Sequence, residues 1–262
     1  MYLADKCVGC GACVAACPKG AIQLAMPEDN STNVVKVRTD RNLCDACGAC
    51  VSICPTKARE ITGRMATVEE VYEEVAKDLL FYGSGPDRGG VTLTGGEVLS
   101  QPDFAAAILA KCQENGIHTV IETCGQASWD SLQKVLAHTD LVLYDVKHMD
   151  PEQHRYGTGV DNELILSNLV RLSQELQIPV IARTPILPGY NDTDDNMHAM
   201  GAFLKEQVPT CQEINLLPYH KLGEGKRVQL EGEEERFETR VPTEEEMEHL
   251  RQILREYGFV VK

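Results

Sequence analysis

From about residue 90 onwards, the chain alternates between two hydrophobic patterns. Short apolar or β-branched runs are followed by longer segments in which apolar residues recur every three or four positions. The first pattern is typical of strands and the second of amphipathic helices. The patterns predict strands at residues 91–94, 118–122, 141–146, 180–186 and 214–217, with a short last strand at 259–261.

The predicted helices carry start and stop signals. Thr67-Val68-Glu69-Glu70 and Thr243-Glu244-Glu245-Glu246 each have the form of a capping box, in which a threonine and a glutamate three residues later each accept a hydrogen bond from the other's backbone N–H. Glycines follow several predicted helix ends. The predicted helices span residues 67–82, 103–115, 128–137, 163–176, 194–208 and 243–257.

Repeated β-α units of this length predict an α/β fold whose strands form a parallel sheet, closed or partly closed as a barrel. The helix at 67–82 opens the series without a strand before it, which would leave one edge of the sheet unpaired. We therefore expect a partial parallel (β/α) barrel that lacks its first strand, in a chain that starts partway through a longer protein.

Eight of the eleven cysteines lie ahead of this series in two copies of one spacing, C-x2-C-x2-C-x3-C-P, offset by 37 residues between Cys7 and Cys44. This spacing is that of bacterial ferredoxins, in which the fourth cysteine of each run ligates the other cluster. It predicts two [4Fe–4S] clusters. One is assigned to Cys7, Cys10, Cys13 and Cys54, and the other to Cys17, Cys44, Cys47 and Cys50.

The cysteine runs have two other readings, a pair of zinc ribbons and a disulfide framework. Four-thiolate zinc sites are usually built from two separated C-x2-C pairs, and disulfides need an oxidising compartment. We therefore favour a ferredoxin-like domain with two [4Fe–4S] clusters at residues 1–60, followed by the partial barrel at 61–262.

Composition and charge limit the partners and the cellular compartment that the sequence predicts. The formal net charge of −15 argues against nucleic acid as a partner, because phosphate contacts need clustered lysine and arginine. No apolar run approaches the roughly 18 residues of a membrane span, and the N-terminus lacks the pattern of a secretory signal. With eleven cysteines, these features predict a cytoplasmic protein with no membrane partner.

Polar residues cluster where the predicted strands end, and the loops at the carboxyl ends of such strands usually carry the chemistry. Two adjacent glycines allow the backbone to approach a ligand. An arginine within a buried strand should meet a carboxylate from the protein or from a ligand. In strand order the motifs are Gly95-Gly96-Glu97, Glu122-Thr123-Cys124-Gly125, Asp145-Val146-Lys147-His148, Arg183, and Pro218-Tyr219-His220.

In combination, these motifs resemble the radical SAM activating enzymes of glycyl radical enzymes. The cysteine segment resembles the subgroup with a ferredoxin-like insert, so the resemblance spans residues 2–262. It rests on Gly95-Gly96-Glu97, Asp145-x-Lys147-His148-Met149-Asp150, Arg183-x-Pro185 with Pro188-Gly189-x-Asn191-Asp192, and Leu217-Pro218-Tyr219-His220-Lys221-x-Gly223.

The resemblance implies a binding site for S-adenosylmethionine at the barrel mouth. By position, Gly95, Gly96 and Glu97 would hold the methionyl ammonium. Arg183 would meet its carboxylate, and His220 would contact the adenine end. The remaining matched residues are Asp145, Val146 and Lys147, which would line the ligand, and Glu122 and Thr123, which match a cation-binding position of some members.

Enzymes of this family cleave S-adenosylmethionine reductively at a third [4Fe–4S] cluster, and the 5′-deoxyadenosyl radical abstracts hydrogen from a glycine of a partner enzyme. The resemblance therefore implies anaerobic chemistry, a glycyl radical enzyme as partner, and a flavodoxin or ferredoxin as electron donor. We expect the chain itself to be a monomer.

One family motif is absent from this sequence. The catalytic cluster needs Cys-x3-Cys-x2-Cys, and no such triplet occurs. The isolated cysteines at 112, 124 and 211 are expected to be ordinary buried thiols. We therefore assign no catalytic residue and expect an N-terminally truncated, inactive activating enzyme. The alternatives are an iron–sulfur electron-transfer module without radical chemistry and a structural zinc protein.

Overall fold

The computed structural model describes residues 1–25, 35–83, 85, 88–220 and 239–262. The described chain forms two compact units, Met1–Met65, and Ala66–His220 together with 239–262. The boundary predicted between residues 60 and 61 falls a few residues before this break and stays a prediction. The motif residues Lys221 and Gly223 lie outside the described residues.

The N-terminal unit is an internally repeated structure of short elements. Two short helices, α1 (Ala12–Ala16) and α2 (Ala49–Ser52), each lie within one cysteine run. Strand β1 (Ile22–Ala25) pairs antiparallel with β2 (Lys36–Thr39). The 37-residue spacing of the cysteine runs therefore also separates the two helices.

The strand pairing of this unit repeats with the same offset. Ile22 pairs with Thr39 in the hairpin, and Tyr2 pairs with Arg59 in an isolated antiparallel bridge. Adding 37 to Ile22 gives Arg59, and subtracting 37 from Thr39 gives Tyr2, so the two pairings are equivalent. The hydrophobic centre of the unit includes buried Tyr2, Cys13, Ile22 and Val37. The cysteine runs thus lie around a small two-fold-like core.

The second unit contains one parallel sheet of six strands in sequential order. The strands are β3 (Gly90–Leu93), β4 (His118–Thr123), β5 (Leu141–Asp145), β6 (Val180–Ile186), β7 (Cys211–Pro218) and β8 (Val260–Val261). Among the described residues, β3 pairs only with β4, so the predicted unpaired edge is confirmed. The partial parallel barrel is therefore present, with the strands close to their predicted positions.

Helices follow the strands as predicted, with two departures. The helix predicted at 67–82 divides into α3 (Val68–Ala76) and α4 (Leu79–Tyr82). The helix predicted at 163–176 is α-helical only in its first part and ends in a π-helical segment, Leu172–Leu176. The other helices are α5 (Pro102–Glu114), α6 (Trp129–Leu136), α7 (Pro151–Thr158), α8 (Glu163–Arg171), α9 (Asp194–Gln207) and α10 (Glu244–Glu256).

Both predicted capping boxes are confirmed. In each, the threonine side chain accepts a hydrogen bond from the glutamate N–H three residues later, and the glutamate side chain accepts one from the threonine N–H. Helix α7 was not predicted. Its signal is Asp150, whose carboxylate caps the N–H groups of Glu152 and Gln153, followed by Pro151 in the first turn.

One face of the sheet packs against the helices and forms the core of the unit. Tyr144 of β5, Ala182 of β6 and Ile214 of β7 are fully buried there among side chains of the surrounding helices. Along β6, buried residues alternate with half-buried ones. The half-buried face carries the polar residues of the strand ends, and we call it the polar face: Glu122, Asp145, Arg183 and Asn215.

Candidate cofactor sites

Two cavities in the N-terminal unit separate the eight clustered cysteines into two groups of four. The first cavity is lined by Cys7, Cys10, Cys13 and Cys54. The second cavity is lined by Cys17, Cys44, Cys47 and Cys50. These groups coincide with the two ligand sets predicted from the ferredoxin spacing, including the exchange of the fourth cysteine between the runs.

The donor chemistry of each cavity fits a four-thiolate cluster. All eleven cysteines are free thiols. Backbone N–H groups point at the two exchanged sulfurs, from Ala21 to Cys17 Sγ at 3.3 Å and from Ala58 to Cys54 Sγ at 3.2 Å. Hydrogen bonds to ligand sulfurs are one way in which proteins stabilise and tune iron–sulfur clusters.

The glycines of the two runs shape the backbone around the cavities. Gly11 and Gly48 precede α1 and α2 with φ angles of 72° and 81°, a conformation that side-chain-bearing residues rarely adopt.

Within the described residues, no group of three or more His, Cys, Asp or Glu side chains is placed to hold a single metal ion.

In the second unit, the carboxylate of Glu97 joins the loops that follow β3 and β4. Its Oε1 accepts hydrogen bonds from the Leu99 N–H at 2.9 Å and the Thr123 hydroxyl at 2.7 Å. Its Oε2 accepts bonds from the N–H and the thiol of Cys124, at 3.0 and 3.1 Å. The two loops are therefore fastened to each other through one side chain, and we call this arrangement the Glu97 latch.

The latch favours the ionised form of Glu97. Burial alone would raise the pKa of this carboxyl group, but the hydrogen bonds from Leu99, Thr123 and Cys124 outweigh it and lower the pKa. In contrast, burial and the nearby Glu97 charge raise the pKa of the Cys124 thiol. The pair is thus a carboxylate that accepts a hydrogen bond from a neutral thiol.

The polar face brings charged residues of three strands together. Arg183 of β6 meets Glu122 of β4, with 2.8 Å between Arg183 Nη1 and Glu122 Oε1. Asp145 of β5 lies 3.6 Å from the Lys147 ammonium nitrogen. The prediction that Arg183 would meet a carboxylate is confirmed, and in this structure the carboxylate belongs to the protein.

The pKa of the Asp145 carboxyl group is raised. Burial is the largest cause and the negative charge of Glu122 adds to it, whereas Lys147 and Arg183 act in the opposite direction. The ionisation of Asp145 therefore depends on the charges of Glu122, Lys147 and Arg183 around it.

Buried asparagines anchor the loops at the strand ends. Asn168 of α8 donates to the carbonyl oxygens of Gly125 and Ala127, at 2.9 and 3.0 Å. Asn191 donates to the carbonyl oxygens of Lys147 and Pro185, at 2.9 and 2.8 Å, and its own carbonyl group accepts from Leu187 N–H. Both side chains are almost fully buried. These hydrogen bonds hold the backbone of the strand-end loops in place.

The loop after β4 also depends on a close backbone approach. Gly125 has a φ angle of 70°, and a Cβ atom at this position would lie 1.7 Å from the Tyr144 hydroxyl oxygen. That hydroxyl group donates to the Ile165 carbonyl oxygen at 2.7 Å in the core. Only glycine fits here, which explains its place directly after the site residue Cys124.

Comparisons with known proteins assign the chain to a family. The profile of the Radical SAM superfamily matches residues 47–200, and that of the 4Fe-4S dicluster domain matches residues 6–58. The choline trimethylamine-lyase activating enzyme of Oleidesulfovibrio alaskensis is 39% identical over 263 residues, which cover 100% of this chain and 82% of the relative. This chain belongs to the glycyl-radical-enzyme activating enzymes of the radical SAM superfamily.

Two further members of this activating-enzyme family support the assignment. The trans-4-hydroxy-L-proline dehydratase activating enzyme of Clostridioides difficile is 37% identical over 265 residues, covering 100% of this chain and 83% of the relative. A domain of the pyruvate-formate lyase-activating enzyme from Bacteroides vulgatus shares the fold, with a TM-score of 0.56 and 33% identity over 66% of this chain and 98% of that chain. The two profile matches support iron–sulfur clusters and S-adenosylmethionine as cofactors.

The remaining predicted cofactor-binding residues lie in different environments, some exposed and one in the core. Gly95 and Gly96 are exposed at the end of β3, and Gly95 has a φ angle of 147°. Val146 has a side chain in the core, and its N–H and carbonyl groups are bonded to β6. His220 is exposed two residues after β7 and takes no part in the described hydrogen-bond network.

Three residues that the structure places in the site are not among the predicted cofactor-binding or metal-binding residues. Cys124 was expected to be an ordinary buried thiol, but it is half-buried and belongs to the Glu97 latch. Thr94 donates to Glu122 at 3.2 Å. Asn215 pairs in register with Arg183, and its buried side-chain oxygen has no hydrogen-bond partner among the described residues. In the case of Cys124, the adjacent Thr123-x-Gly125 turn was the available signal. For the isolated cysteines Cys112 and Cys211, burial is confirmed.

Among the described residues, no helix is both long and apolar enough to cross a bilayer.

Proposed function

We propose that this chain acts in the activation of a glycyl radical enzyme by binding two [4Fe–4S] clusters and S-adenosylmethionine. The observation that carries the proposal is the division of eight thiols between two cavities in the ferredoxin pattern, in a chain that belongs to the activating enzymes. The first cavity would hold one cluster through Cys7, Cys10, Cys13 and Cys54. The second cavity would hold the other through Cys17, Cys44, Cys47 and Cys50.

S-adenosylmethionine would bind at the carboxyl ends of the strands, where the methionyl group meets the turn at Gly95 and Gly96. Because Glu97 already accepts four hydrogen bonds, we assign it two roles. Its negative charge attracts the ammonium group, and the latch holds the glycine turn so that backbone carbonyl oxygens can accept from that group. Gly96 has open space where a Cβ would stand, as a backbone contact to a ligand requires.

The carboxylate of the methionyl group would face Arg183. A guanidinium group suits a carboxylate because its N–H groups form a planar fork, and Glu122 holds Arg183 in place at 2.8 Å. The unpaired oxygen of Asn215 is suited to accept a ligand N–H, since buried polar atoms are usually hydrogen-bonded. Asp145, the Val146 backbone and Lys147 line the same edge, and His220 is the proposed contact for the adenine.

When bound, the clusters supply one-electron transfer, and we propose a flavodoxin or ferredoxin as the donor. The partner is proposed as a glycyl radical enzyme without naming its substrate, because relatives of similar identity are named for a lyase, a dehydratase and a decarboxylase. The setting that fits this chemistry is an anaerobic cytoplasm, with the chain as a monomer that binds neither nucleic acid nor membrane.

The absence of Cys-x3-Cys-x2-Cys from the 262 residues favours a second candidate function. In that case the chain is an iron–sulfur electron-transfer module without radical chemistry. The two functions differ in one respect that can be measured, because only an activating enzyme needs an S-adenosylmethionine site.

The deciding experiment is equilibrium dialysis of labelled S-adenosylmethionine against the anaerobically reconstituted chain. Saturable binding that Arg183→Met weakens at least tenfold, and that the exposed control Glu206→Gln leaves unchanged, supports the proposed function. Absence of saturable binding by the natural chain, with both clusters present by iron analysis, would favour the electron-transfer module.

A further inference from the structure

The thiol of Cys124 occupies one of the acceptor positions on the Glu97 carboxylate. Glu97 Oε2 accepts hydrogen bonds from the backbone N–H of Cys124 at 3.0 Å and from its thiol at 3.1 Å. Burial opposes the ionisation of Glu97, but its hydrogen bonds outweigh burial and lower its pKa. A charged oxygen is therefore paired with a thiol, which is a weak donor.

The other three donors to Glu97 are stronger or fixed by the main chain. The N–H groups of Leu99 and Cys124 belong to the backbone and cannot turn away. The Thr123 hydroxyl donates to Oε1 at 2.7 Å, and its oxygen is held by the Gly125 N–H at 3.0 Å. The thiol hydrogen, in contrast, turns about the Cβ–Sγ bond without moving the backbone. It is the donor that leaves Glu97 most easily.

This part of the Glu97 latch borders the solvent. Glu97 and Cys124 are each half-buried. The Gly95-Gly96 turn that directly precedes Glu97 is exposed, and it is the turn to which we assign the methionyl group. A ligand that enters at this turn therefore meets the oxygen that carries the thiol.

An ammonium group is the better partner for this oxygen. The thiol is neutral, because burial and, to a smaller extent, the Glu97 charge raise its pKa. Hydrogen bonds between two charged groups are short and strong, and a primary ammonium group has three N–H donors. The Gln126 N–H lowers the thiol pKa as a donor to the sulfur, so the sulfur keeps a partner when its hydrogen turns away.

We infer that Cys124 occupies the ammonium-binding oxygen of Glu97 in the free protein and releases it to the ligand, so that this cysteine sets the affinity for the amino group. The inference rests on the proposed function and deepens it. No proton is transferred, because the thiol keeps its hydrogen and the ligand arrives as an ammonium ion. Cys124 is thus a positioning residue that acts through Glu97, and the direct bond to Oε2 adds to the attraction already assigned to that side chain.

Substitutions of Cys124 should shift the affinity in opposite directions. Cys124→Ala removes the competing donor and keeps the backbone N–H, so we expect S-adenosylmethionine to bind about two- to tenfold more tightly. Cys124→Ser introduces a hydroxyl, which is a stronger donor than a thiol, and should weaken binding. Cys112→Ala is the matched control, because it removes a buried thiol of α5 outside the site and should leave the affinity unchanged.

The test is equilibrium dialysis of labelled S-adenosylmethionine against the anaerobically reconstituted chain and these variants. It is repeated with labelled S-adenosyl-4-methylthio-2-oxobutanoate, in which a keto group replaces the amino group. This analogue has no ammonium group to take the place of the thiol. A distorted loop would alter the binding of both compounds, whereas exchange at Oε2 alters the binding of S-adenosylmethionine alone.

The hydrogen bond of the thiol can also be observed in the natural chain. The S–H stretching band that Cys124→Ala removes from the infrared spectrum belongs to Cys124, and its frequency reports the hydrogen bond of the thiol. We expect this band to shift when S-adenosylmethionine binds and to stay in place with the oxo analogue.

The outcomes separate the inference from the proposed function. Unchanged affinity in both Cys124 variants, equal changes for both compounds, or an S–H band that does not move on binding would each overturn the inference and leave the proposed function intact. Absence of saturable binding by the natural chain, with both clusters present by iron analysis, would overturn the proposed function and the inference with it.

Discussion

Replacing Glu97 by glutamine tests the Glu97 latch most sharply. The substitution keeps the size of the side chain but exchanges one acceptor oxygen for an NH₂ donor. The backbone N–H groups of Leu99 and Cys124 bond to different oxygens of the carboxylate, so at least one of them loses its acceptor in either orientation of the amide. Thr123 and Cys124 side chains can rotate, whereas a backbone N–H cannot.

The magnitude follows from these bonds. A hydrogen bond to a charged group contributes about 1.5–3 kcal/mol, and an unsatisfied buried N–H costs about 1–3 kcal/mol. We expect Glu97→Gln to lower the free energy of unfolding by about 2–4 kcal/mol at neutral pH. For a unit of this size the corresponding loss in Tm is about 4–16 °C.

The effect should depend on pH with a defined sign. The pKa of Glu97 is lowered in the folded protein, so its contribution is complete above the unfolded value of about 4.3 and is lost as pH falls through the lower folded value. The deficit of Glu97→Gln should therefore be larger at pH 8 than at pH 4. The assay is thermal unfolding followed by circular dichroism at both pH values.

Glu206→Gln is the matched control, because Glu206 is exposed on α9 and the change removes the same charge. Surface substitutions of this kind usually stay within about 0.5 kcal/mol. Equal Tm values for Glu97→Gln and Glu206→Gln would refute the latch. A deficit that grows as the pH falls would refute the assigned ionisation state.

Three other substitutions probe separate parts of the structure. Gly96→Ala meets open space, so we expect an unchanged Tm but at least tenfold weaker S-adenosylmethionine binding by equilibrium dialysis; unchanged binding would contradict the proposed backbone contact. Gly125→Ala would place a Cβ 1.7 Å from the Tyr144 hydroxyl oxygen and should lower the free energy of unfolding by about 2 kcal/mol or more, which urea titration measures. Asn191→Ala removes three buried hydrogen bonds, and a loss below about 1 kcal/mol in the same titration would contradict its anchoring role.

The regular elements of the second unit were predictable because local signals and tertiary packing agree there. The strand predicted at 180–186 is observed with the same bounds, since Pro179 and the buried alternation define it. Helix α7 contains few apolar residues, so the hydrophobic pattern does not predict it, and its cap residue Asp150 also belongs to a family motif. The break between α3 and α4 lies at Lys77 and Asp78. Neither residue is a helix breaker, so the sequence does not predict the break.

The candidate sites also differ in how far the sequence predicts them. The two cysteine groups that line the cavities match the ferredoxin pattern, in which the fourth cysteine of each run belongs to the other group. The Glu97 latch could not be foreseen, since Glu97 and Cys124 are 27 residues apart and meet only when β3 and β4 pair.

The central claim is that this chain holds two [4Fe–4S] clusters on the eight cysteines of the N-terminal unit and has no ligands of its own for a third. The most direct measurement is iron and sulfide content with Mössbauer spectroscopy after anaerobic reconstitution, together with an assay for 5′-deoxyadenosine from S-adenosylmethionine. We predict about eight irons per chain, a fall to about four in Cys10→Ser, and no cleavage by the chain alone. About twelve irons with cleavage would contradict the account, because Cys112, Cys124 and Cys211 would then have to ligate a cluster.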